Sequence, residues 1–247
     1  MSNVSLTFDG DRAYVELDRP DKHNGLTIEM LNDLVRVART VGRRDDIRAV
    51  ILAGNGPSFS SGLDIAKATG DPLSIVRNFL PIPWLGTNTF QEACWAWRRL
   101  PQPVIAAVHG HCFGGGLQLA LAADFRFAAP DSDFAVMEVA HGLIPDMSGA
   151  VTLSRLVGVD KALLLTVTAD PIDAAEAERI GLITRVSNDP RTEAEKLAER
   201  IAARPAVAVA AAKRLFERSW TAGTRRTLGI ERATQIPLLV RQALGRR

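Results

Sequence analysis

Val104-Ile105-Ala106-Ala107-Val108, followed by His109-Gly110-His111-Cys112-Phe113-Gly114-Gly115-Gly116 and then Leu117-Gln118-Leu119-Ala120-Leu121-Ala122, is the stretch whose reading decides the fold. Five apolar residues in a row, three of them β-branched, read as a short strand buried on both faces. The four glycines that follow mark a tight loop, and the triple glycine opens an apolar helix that runs to about Ala122. A buried strand leading through a glycine loop into a buried helix is the unit of an α/β fold. From Val104 to Ala123 there is no Asp, Glu, Lys or Arg, which is the length of a membrane span. His109, His111, Gln118 and the glycines suit a strand, loop and buried helix better than a lipid-facing helix, so no membrane association is expected.

Outward from this stretch, strand and helix signals alternate. Val4, Leu6 and Phe8, then Ala13, Val15 and Leu17, alternate with polar residues around Asp9-Gly10 and predict a hairpin. Thr27 is a candidate N-cap for a helix over about 28–42, where Met30, Leu34, Val37, Ala38 and Val41 recur at helical spacing. A buried strand is expected at Ala49–Ala53, a turn-rich loop at Gly54 to Gly62, and a helix start at Asp71-Pro72. Short strands are expected at Phe125–Ala128 and Phe134–Val136. Beyond Ala150 the chain turns helical, with Asp173 and Glu176 as a start signal and further helical runs after Asp189, Arg204 and Ala222. No Gly, Ser or Pro-rich linker divides it. The expected organisation is one core over residues 1–200 with a C-terminal helical region over 201–247.

Composition excludes several classes of function. Of the 247 residues 47% are hydrophobic and 23% charged, as in an ordinary globular protein with a substantial core. A net charge of +2 is too small for a nucleic-acid protein, so an anionic partner must be recognised locally. Two cysteines without a CxxC pair argue against a disulfide scaffold, and the first residues carry no secretory signal pattern. A cytoplasmic location is expected.

Two loops, Gly54–Gly62 and Gly110–Gly116, follow apolar strands. Neither spells a dinucleotide or P-loop fingerprint. Glycine at a helix start either lets a ligand reach unpaired N–H groups and the helix dipole, or serves close helix packing. Gly110-His111-Cys112-Phe113-Gly114 also matches the G-x-C-x-G form of a nucleophile elbow, but the last histidine, His141, comes too soon for the intervening βα units of a hydrolase, and Cys112 reads as a packed residue. His109 and His111 form an H-x-H pair without a well-spaced third ligand, so no metal is expected. Glu138 lies in the apolar run Phe134–Ala140 with no adjacent basic residue. Burial would raise its proton affinity toward general-base strength, whereas a glutamate at a strand end could equally face solvent. Asp146, in Gly142-Leu143-Ile144-Pro145-Asp146-Met147-Ser148-Gly149, either shares proton work with Glu138 or caps the helix that starts near Gly149.

Several segments together resemble the crotonase superfamily, the enoyl-CoA hydratase/isomerase family. They are Arg19-Pro20-Asp21-Lys22-His23-Asn24-Gly25-Leu26, Phe59-Ser60-Ser61-Gly62-Leu63-Asp64-Ile65, Gly110 through Gln118, Glu138 with Gly142-Leu143-Ile144-Pro145, and Ile172 through Ala177 ending in Gly181-Leu182-Ile183. The set covers about residues 2 to 220. The resemblance implies an α/β spiral of ββα turns, a C-terminal helical region packed near the active site, and homotrimers that pair into hexamers. It implies an acyl-CoA substrate of fatty acid metabolism and no prosthetic group, coenzyme A being part of the substrate. The backbone N–H groups of Leu63 and Gly115 would then form an oxyanion hole for the thioester. Lys22, Leu26, Ser61, Leu63, Asp64 and Ile65 would border coenzyme A, with Lys22 on a phosphate. Glu138 and Asp146 would handle protons.

The chain departs from the hydratase pattern at one position. Where that pattern has a first glutamate, this chain has Gln118, which cannot act as a base. Double-bond isomerisation by Glu138, helped by Asp146, is therefore favoured over hydration with a water held by Gln118, and a non-catalytic acyl-CoA-binding role is the third reading. Acyl specificity is expected from the stretch Ala66 to Trp97.

Overall fold

The computed structural model describes residues 3–64 and 72–245. Ile65 and the cap expected at Asp71 lie outside the described residues. The chain opens with the expected hairpin, β1 (Val4–Asp9) and β2 (Arg12–Leu17), paired antiparallel. Helix α1 (Ile28–Gly42) follows, and the Thr27 hydroxyl accepts from the Met30 N–H, a cap of about 1 kcal/mol. Next come β3 (Ala49–Gly54), α2 (Pro72–Phe79), α3 (Thr89–Arg98) and β4 (Val104–Val108). The glycine stretch forms β5 (His111–Phe113) and α4 (Gly114–Ala122), and then β6 (Phe125–Ala128) and β7 (Asp133–Ala135).

A 3-10 turn over Glu138–His141 leads to α5 (Gly149–Thr168), which is broken at Gly158. The second half of the chain adds β8 (Ile172–Asp173), α6 (Ala174–Arg179), β9 (Arg185–Val186), α7 (Pro190–Ala202), α8 (Ala206–Ser219) and α9 (Thr224–Ala243).

The strands make two sheets. Six form the order β1-β2-β3-β4-β6-β9, parallel from β2 onward, and β5-β7-β8 form a smaller one. Single bridges, Leu26 to Leu63 and Ser60 to Cys112, extend the line of the small sheet. Each turn of the chain thus visits the large sheet, then the small sheet or its bridge, and then a helix, which is the ββα spiral that the resemblance implies.

Alternation along the strands explains why β3 and β4 read as unbroken apolar runs. Ile51 and Ile105 are paired across the sheet and, with Tyr14, pack on Ala194 and Ala198 of α7. Their neighbours Leu52 and Ala106 face the opposite way, into the larger core with Leu34, Trp97 and Leu117. Both faces are covered, so neither side needs polar residues. All nine residues of α4 are buried, so it is a central helix and not a membrane element. Among the described residues no helix is long and apolar enough to cross a membrane.

Helix α9 has no buried residue and packs chiefly on α8.

Candidate active site

The first and second glycine loops meet at Leu63 and Gly115. In the parallel bridge between Leu26 and Leu63, both hydrogen bonds are made by Leu26: its N–H donates to Gly62 O at 2.7 Å, and its O accepts from the Asp64 N–H at 2.9 Å. A parallel bridge leaves the opposite residue's own N–H pointing away, so the Leu63 N–H is turned from Leu26. Gly115 is the second residue of α4, where no helical acceptor exists for an N–H, and the N-cap residue Phe113 supplies no side-chain bond. A Cβ placed on Gly115 would lie 3.6 Å from the Leu63 nitrogen, which shows how closely the two loops approach. Among the described residues neither N–H has an acceptor. Gly62 holds this approach with φ +93°, and a Cβ there would stand 2.9 Å from Phe113 O.

Leu63, Gly115, Glu138 and Asp146 line one cavity of about 200 Å³. Its other walls are largely apolar, with Phe79, Phe90, Leu143 and Met147, and the rings of Phe79 and Phe90 lie 4.7 Å apart. From the aromatic stretch expected to contact an acyl group, Trp97 is instead fully buried in the core, and Trp84 is exposed. Residues 66–71 of that stretch lie outside the described residues.

Glu138 is not at a strand end. The strand stops at Ala135, and Glu138 opens the 3-10 turn that carries its carboxyl back over Gly114. Burial raises its proton affinity above the ordinary carboxylate range. Backbone hydrogen bonding and Gln118 oppose that rise, nearby Asp146 adds to it, and His141 opposes it. Its Oε2 is buried and has no hydrogen-bond partner among the described residues. Asp146 does not cap α5. The N-cap residue is Ser148, in a left-handed conformation and without a side-chain cap bond, and burial raises the proton affinity of Asp146 as well.

Gln118 lies behind this wall, almost fully buried. Its Nε2 donates to Glu138 Oε1 at 2.6 Å, while its Oε1 accepts from the Met147 N–H at 2.8 Å and the Gly149 N–H at 2.7 Å. Both lone pairs of that oxygen are taken, so a water could meet Gln118 only through the second N–H of its amide.

Of the residues expected at coenzyme A, Ser61 lines the cavity, Leu26 is buried beneath it, and Lys22 is exposed at the end of a 3-10 turn. Asp64 is bound by Arg19, whose Nη1 reaches its Oδ2 at 2.7 Å and Gly25 O at 2.8 Å, tying the two N-terminal loops together. Nothing near Arg19 in the sequence signals this role, because its partner lies 45 residues away.

The other candidates fall into structural roles. Cys112 is fully buried with a thiol pushed up by burial, the opposite of an activated nucleophile. His109 Nε2 is 2.8 Å from Gly56 O, and His111 Nδ1 is 2.7 Å from Asp133 Oδ1. Among the described residues no three His, Cys, Asp or Glu side chains gather as a metal site.

A larger cavity, about 530 Å³, lies between the core and α8 and shares no lining residue with the Glu138 cavity. Its polar side chains already have partners in ion pairs and backbone carbonyls. Lys213 pairs with Asp124 at 2.7 Å, Arg98 pairs with Glu217, and the buried Arg126, pushed down to about 10 by burial, donates to Leu182 O and Ala123 O. The smaller cavity is the one that combines unused backbone donors with carboxyl groups of raised proton affinity.

An apolar cavity so equipped suits proton transfer next to a polarised carbonyl. The enoyl-CoA hydratase/isomerase family model matches residues 9–238, and the chain belongs to that family. It is 34% identical to the short-chain-enoyl-CoA hydratase of Clostridium acetobutylicum over 88% of this chain and 82% of the relative. It is also 34% identical to the human mitochondrial Delta(3,5)-Delta(2,4)-dienoyl-CoA isomerase, over 81% of this chain and 63% of that protein. Among solved structures, an enoyl-CoA hydratase from Bacillus anthracis superposes with a TM-score of 0.89 at 29% identity, covering 96% of this chain and 91% of that one. A putative enoyl-CoA hydratase from Thermobifida fusca in complex with acetoacetyl-CoA superposes with a TM-score of 0.88 at 33% identity, covering 97% and 95%.

Proposed function

We propose that the protein isomerises the double bond of an unsaturated acyl-CoA. In this reading the thioester oxygen accepts from the Leu63 and Gly115 N–H groups as it gains charge, each donor contributing roughly 2.7–4 kcal/mol of transition-state stabilisation. Glu138 removes a proton from C2 of a 3-enoyl thioester and returns it to C4, which moves the double bond into conjugation. A 3,5-dienoyl thioester needs the proton exchanged over a longer conjugated system, and Asp146 supplies the second carboxyl in the same cavity. The observation that carries this reading is the commitment of Gln118: its oxygen is taken by two backbone N–H groups and its nitrogen is bound to Glu138, so the position where a hydratase has its first glutamate offers no base to activate a water.

Hydration is the second reading, favoured by the hydratase names among the relatives, with Glu138 and Asp146 as the two carboxyls. Purified protein mixed with crotonyl-CoA, a 3-enoyl-CoA and a 3,5-dienoyl-CoA separates the two by absorbance and product mass. Conversion without a mass change, lost in Glu138→Gln, supports the isomerase; gain of one water from crotonyl-CoA replaces it with the hydratase. No turnover together with coenzyme A binding leaves a non-catalytic acyl-CoA-binding protein.

The proposed assembly is a homotrimer or a dimer of trimers. What supports it is the exposure of Phe216 on α8, Trp220 just past its end, and Ile236, Leu239 and Val240 on α9, large apolar side chains that another copy would cover. In this reading the surface belongs to the C-terminal region expected over 201–247.

A further inference from the structure

We propose that Gln118 is a positioning residue whose single amide group ties Glu138 to the loop that carries Asp146, and so sets how the two carboxyls face the acyl group. The proposal rests on the proton-transfer reading for its catalytic consequence, and on hydrogen bonds and packing for the clamp itself.

Gln118 is the fifth residue of α4, Glu138 comes from the 3-10 turn after β7, and Met147 and Gly149 lie where the following loop enters α5. These are three separate pieces of chain, and the side chain of Gln118 joins all three. The orientation of the amide is fixed by chemistry: the atom facing two backbone N–H groups must be the oxygen, so the nitrogen must face Glu138. The N–H bond to Oε1 leaves Oε2 of Glu138 buried and unpartnered, so one carboxyl oxygen anchors the group and the other keeps its lone pairs unpaired. Asp146 directly precedes Met147, whose N–H is one of the two clamped groups, and Ser148 between the clamped residues is held at φ +77°. Space enforces the same geometry, because a Cβ on Gly149 would stand 2.6 Å from Gln118 Oε1.

The clamp also bears on protonation. Around Glu138, the amide of Gln118 and His141 favour the charged form, and Asp146 opposes it; the buried thiol of Cys94 feels both carboxylates. Loss of the amide therefore raises the proton affinity of Glu138, and a carboxylate in its place raises it further, the two groups then titrating as a pair.

The test uses the full chain with Gln118→Met and Gln118→Glu, following the Glu138 carboxyl by carbon-13 NMR (assigned through Glu138→Gln), the amide exchange of Met147 and Gly149, and 3-enoyl-CoA turnover. Gln118→Met is expected to move the Glu138 midpoint upward, to speed exchange of both amides, and to lower kcat by about 10- to 100-fold with a much smaller change in KM. Gln118→Glu keeps an acceptor for the two amides, so it should fold, keep them protected, and still shift the acid limb of the pH profile to higher pH. An unmoved Glu138 midpoint in both variants, or a Gln118→Glu protein with wild-type kcat and pH profile, overturns the proposal. A moved midpoint and faster exchange in a protein that turns over none of the acyl-CoAs upholds the clamp and removes the isomerase reading instead.

Discussion

Gln118 Nε2 donates to Glu138 Oε1 across 2.6 Å, a charge-assisted bond between a central helix and a turn twenty residues further on. It holds the carboxylate by one oxygen in a site where burial works against the charge. That balance gives the first prediction. Glu138→Gln is expected to lower isomerase kcat by about 10²- to 10⁴-fold, the range for loss of a general base. In the wild type, activity should fall on the acid side as Glu138 takes up a proton, at a pH above the ordinary glutamate range. An acid limb at ordinary glutamate pH would contradict the burial argument.

Stability should respond with the opposite sign to the usual carboxylate. A carboxyl whose folded proton affinity is raised binds its proton more tightly in the folded state, so stability declines as pH rises through the window between the unfolded value and the raised folded one. Burial, the largest cause for both, raises Glu138 and Asp146 alike. Glu138→Gln is therefore expected to be neutral or stabilising at neutral pH, as read by denaturant titration. A clear loss of stability there would show that Glu138 also holds the fold.

The proposed oxyanion donors, the Leu63 and Gly115 N–H groups, are backbone groups and must be tested through what positions them. Gly62→Ala introduces a Cβ at φ +93° and 2.9 Å from Phe113 O, which displaces the adjoining Leu63 N–H. Loss of about 10²- to 10³-fold in kcat is expected, with coenzyme A binding retained. Equal loss of binding and of kcat would point instead to collapse of the loop.

The α8 contact rests on a buried ion pair. Lys213 Nζ lies 2.7 Å from Asp124 Oδ2 with side-chain exposures of 6% and 17%, and also donates to Gln102 O. Burial lowers the proton affinity of Lys213, and Asp124 partly restores it. Lys213→Met leaves Asp124 without its cation and should cost about 3 kcal/mol in denaturant unfolding. Turnover per folded molecule should hold, because no residue of this pair lines the Glu138 cavity.

Much of this was legible in the sequence because it is local. The Thr27 cap, the runs of β3 and β4 and the glycine entry to α4 are each specified within a few residues. The strands β5, β8 and β9 have three, two and two residues, too few to show a period, and exist only because a neighbouring strand pairs with them. At the site, residue types singled out Glu138 and Asp146, but not their partners. Arg19 meets Asp64 across 45 residues, and Gln118 meets Gly149 across 31, and nothing local in either segment announces the other. Asp146 looked like a cap because Asp before a helix often is one, yet the backbone places the cap position at Ser148, two residues on.

In the proposed isomerisation, Asp146 is the group that should separate the two substrates. A one-carboxyl shift of a 3-enoyl thioester needs only Glu138, whereas a 3,5-dienoyl thioester has its proton donor and acceptor carbons farther apart. Asp146→Asn is therefore expected to cost about 10²-fold or more on the dienoyl substrate and much less on the 3-enoyl one. It also removes a negative charge that raises the proton affinity of Glu138, so the acid limb for the 3-enoyl substrate should move to lower pH. Parallel pH profiles of wild type and Asp146→Asn on the two substrates measure both effects. Equal losses on the two substrates with an unmoved acid limb would mean that Asp146 only shapes the loop and that Glu138 works alone.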